Sequence, residues 1–216
     1  MQLRSIVFSG LAAALATGPV LADNHRNQRG AAPAAFMRVF GSTPGPYGFV
    51  AFCERVPDEC VPSGTNDARF EGSPNRLSEL DEVNRRINTQ IAPATDQDLY
   101  GVIEHWTLPV DNKGDCEDYA LLKRQILIKR GWPSSALLIT VVRDERGDGH
   151  AVLTARTAQG DFILDNKNSE LKLWHQTGYR FVMRQSFVEP RLWMSLSPDG
   201  GDRASTPTSM PAPTRR

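Results

Sequence analysis

The sequence predicts an α+β domain in which helices come first and an antiparallel sheet follows. Three observations point there. Two stretches, residues 76–91 and 115–130, carry apolar residues on a helical stripe. Three strand-forming segments then follow between residues 136 and 165. The links between those segments are only a few residues long, which demands antiparallel neighbours.

The chain of 216 residues opens with Arg4, an apolar run from Ile6 to Leu15, and Val20-Leu21-Ala22 before Asp23. Residues 1–22 thus have the charge, core and small-residue cleavage site of a secretory signal peptide. The apolar run falls short of the roughly 20 residues that a membrane span requires. A soluble, exported, periplasmic protein is expected. Residues 23–35 read as a flexible arm and residues 36–195 as one domain. Loops are expected as far as residue 48. Residues 196–216 are dominated by Pro, Ser, Thr, Gly and charge, and read as a disordered tail.

The first clear helix runs from Arg76 to Ile91, with Leu77, Leu80, Val83 and Ile87 on one stripe. Ser73 or Asn75 is placed to cap its start, and Pro93 stops it. Residues 96–106 read as a short helix or turn, and Pro109 to Gly114 as a loop. In the second helix Asp115 is a good N-cap, with Asp118 completing a capping-box-like pair. Ala120, Leu121, Leu122, Ile126, Leu127 and Ile128 make a broad apolar face. Lys129 and Arg130 suit its negative end, Gly131 offers the left-handed position after it, and Pro133 prevents continuation.

Strands are expected at Ala136–Arg143, His150–Arg156 and Asp161–Asp165, joined by turns at Gly147-Asp148-Gly149 and Gln159-Gly160-Asp161. Leu171–Trp174 and Arg180–Phe187 add one or two more. In such a hairpin the start of one strand lies beside the end of the next. His150 and Asp165 therefore come within about two positions of directly opposite.

The 25 basic and 25 acidic residues cancel, and no long run of one sign occurs. Electrostatics gives no support for nucleic acid or an anionic membrane as partner. Of three cysteines, Cys53 and Cys60 flank a proline-containing turn, and an oxidising compartment would let them close a small loop. Sequence alone leaves other pairings open. On this pairing Cys116 is the one left over. No second close Cys or His pair completes a zinc site, and no Cys-x-x-Cys supports thiol–disulfide exchange.

Cys116 stands in Gly114-Asp115-Cys116-Glu117-Asp118-Tyr119-Ala120, where a polar loop becomes a helix. Unpaired N–H groups and the positive end of the helix dipole stabilise a thiolate there. A histidine opening a strand (His150) can hold that thiolate, and an aspartate closing the next strand (Asp165) can fix the histidine's tautomer. Each has a plain alternative: a packed thiol, a strand-edge histidine, a turn aspartate. Together, in this order, they point to thiol acyl transfer. The Cys116 N–H is the obvious oxyanion donor. Trp106 is either a second donor or a wall of the cleft.

Val83-Asn84-Arg85-Arg86-Ile87-Asn88, Trp106, the block around Cys116, His150-Ala151-Val152-Leu153 and Leu164-Asp165-Asn166 resemble the bacterial transglutaminase-like cysteine peptidases. The resemblance runs from about residue 36 to 188, and Cys53 and Cys60 are similar to the paired cysteines of many members. It implies a papain-like or transglutaminase-like fold, with Cys116 as nucleophile, His150 as general acid and base, and Asp165 as its orienting partner. LapG-like periplasmic members clip large surface adhesins, releasing biofilm cells. The resemblance therefore implies a protein substrate, a surface adhesin among the candidates, and a membrane-anchored regulatory receptor. It also implies calcium bound by the acids flanking the cysteine, Asp115 and Glu117. A cation there would offset the repulsion that three carboxylates impose on a thiolate; otherwise the acids simply cap the helix. Transglutaminase- or amidase-type acyl transfer, and a non-catalytic exported binding module, are the competing functions for the same fold.

Overall fold

Residues 35–64, 69–71 and 73–198 are described by a computed structural model. The signal-peptide reading, all but the end of the arm, and most of the tail lie outside these residues. In chain order the elements are β1 (Ser42–Thr43), α1 (Tyr47–Arg55), α2 (Pro74–Gln90), β2 (Ala92–Pro93), α3 (Asp96–Tyr100), β3 (Lys113–Gly114), α4 (Cys116–Lys129), β4 (Leu137–Arg143), β5 (Gly149–Thr157), β6 (Gly160–Leu164), β7 (Lys172–Leu173), β8 (Arg180–Gln185) and β9 (Trp193–Ser195).

The main sheet has the order β1-β9-β8-β4-β5-β6-β7, and every pairing in it is antiparallel. Alternation along its strands divides the core in two. Leu137, Ile139, Leu153, Ala155 and Leu164 face the helices, joining Leu80, Val83 and Ile87 of α2 and Ala120, Leu121 and Leu127 of α4. Val142, Val152, Ile163 and Phe181 face the other way, under Met37. A register shift between Val141 and Val142 opposite β8 lets the sheet bend at the end nearest the site. Each fully buried Leu, Ile or Val stabilises the fold by about 1.5–3 kcal/mol, so the helix-facing layer is the main anchor for α4.

α2 starts at Pro74, two residues before the expected Arg76, and of the two candidate caps it uses Ser73. Ser73 accepts a hydrogen bond from the Arg76 N–H, and Pro74 occupies the first turn. Gly131 adopts φ +89° just beyond α4, a left-handed conformation that favours glycine. Loops are expected as far as residue 48, but β1 forms at Ser42–Thr43 and α1 begins at Tyr47. Ser42–Thr43 pairs with β9, Phe49 of α1 packs against Trp106 and Trp193, and Phe52 is buried beside Phe49. Gly48 is required there, because a Cβ would collide with the Trp106 ring. Cys53 and Cys60 form a disulfide that ties the end of α1 to the following turn. Arg124 of α4 docks that turn by donating to the Glu59 carbonyl at 3.0 Å.

Candidate active site

Two pairings bring the site together. In β4–β5–β6 the register sets Leu153 opposite Leu164, so one step further Asp165 falls beside Val152, two residues from His150. The second is a short parallel pairing of Ala92–Pro93 with Lys113–Gly114. It clips the link after α2 to the loop before α4, with the Ala94 N–H donating to the Gly114 carbonyl at 2.9 Å. This delivers Asp96, in the first turn of α3, to the first turn of α4.

His150 Nε2 lies 2.8 Å from Asp165 Oδ1, and both residues are buried. Asp165 has further donors: the Lys167 N–H to Oδ1 at 2.9 Å and the Tyr179 hydroxyl to Oδ2 at 2.6 Å. Burial works to raise the Asp165 carboxyl, but the His150 hydrogen bond and charge, with Tyr179 and Lys167, outweigh it and hold it below its ordinary value. The other imidazole nitrogen, Nδ1, has no hydrogen-bond partner. His150 and Cys116 line one cleft of about 280 Å³ together with Pro46, Trp106, Glu117 and Val182. The backbone of Ala151, the residue after His150, lies on the Cys116 side of this cleft and acts to lower the thiol. The Cys116 and His150 side chains are thus brought to the same cleft, with one imidazole nitrogen spoken for and one unengaged.

The thiol is not activated in isolation. Burial, then the charges of Glu117 and Asp115, push the Cys116 thiol well above its ordinary value, and the Ala151 backbone only partly opposes them. Glu117 Oε2 lies 3.0 Å from the sulfur, and burial with the nearby Asp115 charge pushes the Glu117 carboxyl far up as well.

Asp115 is the N-cap of α4 by position, yet its side chain makes no capping hydrogen bond. The expected capping box is not formed. Asp118 instead accepts from the Thr107 N–H at 3.0 Å and Asp96 from the His105 N–H. One oxygen of each remains buried without a partner: Asp96 Oδ1, Asp115 Oδ1 and Asp118 Oδ2. Carboxylate oxygens of these three residues lie within 4.8 Å of one another. Burial is the main cause that raises Asp115 to about 6 and Asp118 to about 7, with mutual repulsion adding. Gly114 is obligatory beside them, since a Cβ would sit 2.6 Å from Asp118 Oδ2. Buried, unpaired, all-oxygen donors converging on one point fit a hard divalent cation such as calcium. Glu117 lies on the cysteine side, grouped with Asp115 and Cys116.

Trp106 is a wall. Its ring is buried and its indole N–H donates to Glu104 Oε1 at 2.6 Å, so it has no N–H left for an oxyanion. Sequence reasoning missed Asp96, Glu104 and Tyr179. Asp96 carried a partial signal as an acidic residue just after a helix-stopping proline. Nothing in the sequence sets Tyr179 apart.

The family model of the bacterial transglutaminase-like cysteine proteinases (BTLCP) matches residues 39–200. The chain belongs to that family. It is therefore a cysteine peptidase, with protein as its substrate class. No curated protein matches it. Among solved structures, this peptidase is similar to calcium-bound Legionella pneumophila LapG, with 24% identity, a TM-score of 0.49, and 75% of this chain and 83% of that chain covered. A second Legionella pneumophila LapG structure gives 26% identity and a TM-score of 0.47, covering 68% and 77%. The EGTA-treated form gives 25% and 0.47, covering 68% and 75%. Among the described residues of the peptidase no helix is long and apolar enough to cross a membrane.

Proposed function

We propose that this chain is an exported, periplasmic peptidase that cuts a surface adhesin using Cys116, His150 and Asp165, with calcium held by Asp96, Asp115 and Asp118. The observation that carries the reading is the His150–Asp165 bond through Nε2, which leaves Nδ1 unengaged in the cleft that holds Cys116. In this reading Cys116 sulfur attacks the scissile carbonyl and forms a tetrahedral intermediate, then a thioester. His150 first takes the thiol proton and gives it to the leaving amine, then draws a proton from the water that hydrolyses the thioester. Asp165 keeps the ring in the tautomer and orientation this requires. The Cys116 N–H, at the start of α4, supports the oxyanion.

A bound cation would supply positive charge beside a thiol that the surrounding carboxylates otherwise keep protonated. Glu117, the second ligand expected from sequence, sits against the Cys116 sulfur and is grouped with Asp115 and Cys116, not with Asp96 and Asp118. A membrane-anchored receptor that sequesters the enzyme belongs to the same proposal through family resemblance.

The test uses mature protein, residues 23–216, incubated with an exported adhesin fragment from the same cell, with calcium or with a chelator. New termini are read by mass spectrometry, and Cys116→Ala is the control. Cleavage lost in both the variant and the chelated sample is expected. Cleavage that survives the chelator removes calcium from the proposal. A Cys116 that alkylates while no substrate is cut points to amine transfer or a different substrate.

A further inference from the structure

The motif Val83-Asn84-Arg85-Arg86-Ile87-Asn88 on α2 has no part in the chemistry above, yet its two asparagines reach the loop that carries Asp165. Asn84 and Asn88 are four residues apart and share one helix face. The Asn88 Nδ2 donates both to the Asp165 carbonyl at 2.8 Å and to Ser169 Oγ at 3.0 Å. The Asn84 Nδ2 donates to the Asn168 carbonyl at 3.2 Å. These bonds meet a need. The β5–β6 ladder ends at Leu164, and β7 begins only at Lys172. The intervening loop leaves the sheet just as it presents Asp165, and its carbonyls need donors from elsewhere.

Behind the asparagines lies Lys123 of α4, with none of its side chain exposed. Its Nζ donates to Asn84 Oδ1 at 2.7 Å. A buried ammonium held by an amide oxygen is a poor way to stabilise a core, because an apolar side chain would fill the same space without the desolvation penalty. What the lysine does give is orientation. By claiming the amide oxygen, it turns the Asn84 NH₂ group toward the Asn168 carbonyl. Desolvation pushes Lys123 down to about 7, against the attraction of Asp165, so its charge is also felt at the same carboxylate.

We infer that Asn88, with Asn84 and Lys123 behind it, is a positioning residue that clamps the Asp165–Ser169 loop so that the Asp165 carboxylate meets His150. This rests on the triad reading proposed above.

A double-mutant cycle tests it. The rate of Cys116 alkylation by iodoacetamide is followed against pH, with calcium present, in wild type, Asn88→Ala, Asp165→Ala and the double variant. Cys116→Ala checks that the label goes to that sulfur. Asn88→Ala is expected to slow neutral-pH alkylation by about 10-fold. In the Asp165→Ala background the same change should matter by less than about twofold, because its effect runs through Asp165. Equal losses in both backgrounds would overturn the clamp and leave the triad standing. An Asp165→Ala protein that alkylates and cleaves like wild type would instead remove the triad reading itself. Should Asn88→Ala not fold, Ser169→Ala deletes one of its two bonds, and the same non-additivity is expected with a smaller loss.

Discussion

Substituting Asp118→Asn removes one carboxylate from the buried acidic cluster while keeping its shape. In the folded protein Asp118 titrates at about 7, mainly through burial, with Asp115 and Asp96 repelling its charge and the Thr107 N–H partly offsetting this. In the unfolded chain it titrates near 3.8. Between those values the folded state holds a proton that the unfolded state has released, so stability falls as pH rises. The contribution is fully present below about pH 4 and lost above about pH 7. The gap corresponds to ~4 kcal/mol. For a domain of this size that is a fall in Tm of about 10 °C.

The assay is thermal unfolding of wild type and Asp118→Asn from pH 4 to pH 8, with chelator and then with calcium. Chelated wild type should lose about 10 °C relative to the variant across that range. Calcium at pH 8 should restore wild type and do much less for Asp118→Asn, because a cation stabilises only the state that binds it. Using the difference between the two proteins cancels Lys123 and the other titrating groups they share. Parallel melting of the two chelated proteins, or equal rescue of both by calcium, would refute the burial argument and the cation site together.

Four further outcomes are expected. Cys116→Ala should abolish cleavage while leaving Tm within a few degrees of wild type; a large loss of stability with function intact would favour a binding module. Asp165→Asn should lower kcat by about 10³-fold with a smaller effect on KM, since His150 would lose the partner that fixes its tautomer. Tyr179→Phe removes one of the three hydrogen bonds to the Asp165 carboxylate. Steady-state kinetics should show kcat/KM down by about 10-fold; an unchanged value would mean the other two donors suffice. Gly114→Ala pushes a methyl against Asp118 Oδ2, and calcorimetric titration should find calcium affinity reduced by about 10–100-fold.

Local chemistry wrote much of this fold into the sequence. Ser73 announces α2, Gly131 and Pro133 end α4, and the brevity of the two turns after Arg143 and Thr157 forces the β4–β5–β6 meander that brings His150 to Asp165. α1 was illegible because Gly48 weakens any helical expectation, and its reason, close approach to Trp106, is a contact about 60 residues away in sequence. Asp115 was misread for a related cause. Position and residue type made it a cap, whereas its carboxylate turns toward Asp96, which arrives only through the β2–β3 pairing. Tyr179 reaches Asp165 from the loop before β8, and no periodicity marks such a residue.

The first turn of α4 carries two kinds of chemistry on two faces. Asp115 and Asp118 are three residues apart and project to one side, where Asp96 meets them. Cys116, one residue on from Asp115, projects about 100° away, into the cleft. Glu117 then touches the sulfur. A cation held on the acidic face would not contact the substrate, yet its charge would be felt by the thiol through a single turn of backbone. In the proposed mechanism the same turn offers the Cys116 N–H to the oxyanion, so holding Asp115 and Asp118 together would also fix that donor. On the same proposal this accounts for so much negative charge beside the proposed nucleophile. Without a cation the carboxylates repel each other, take up protons and raise the thiol; with one, the repulsion is offset and the helix dipole is left to favour the thiolate. Dependence on calcium should therefore appear in the alkylation rate of Cys116 in the absence of any substrate. If chelation leaves that rate unchanged, the acidic face serves the stability of α4 and not its reactivity.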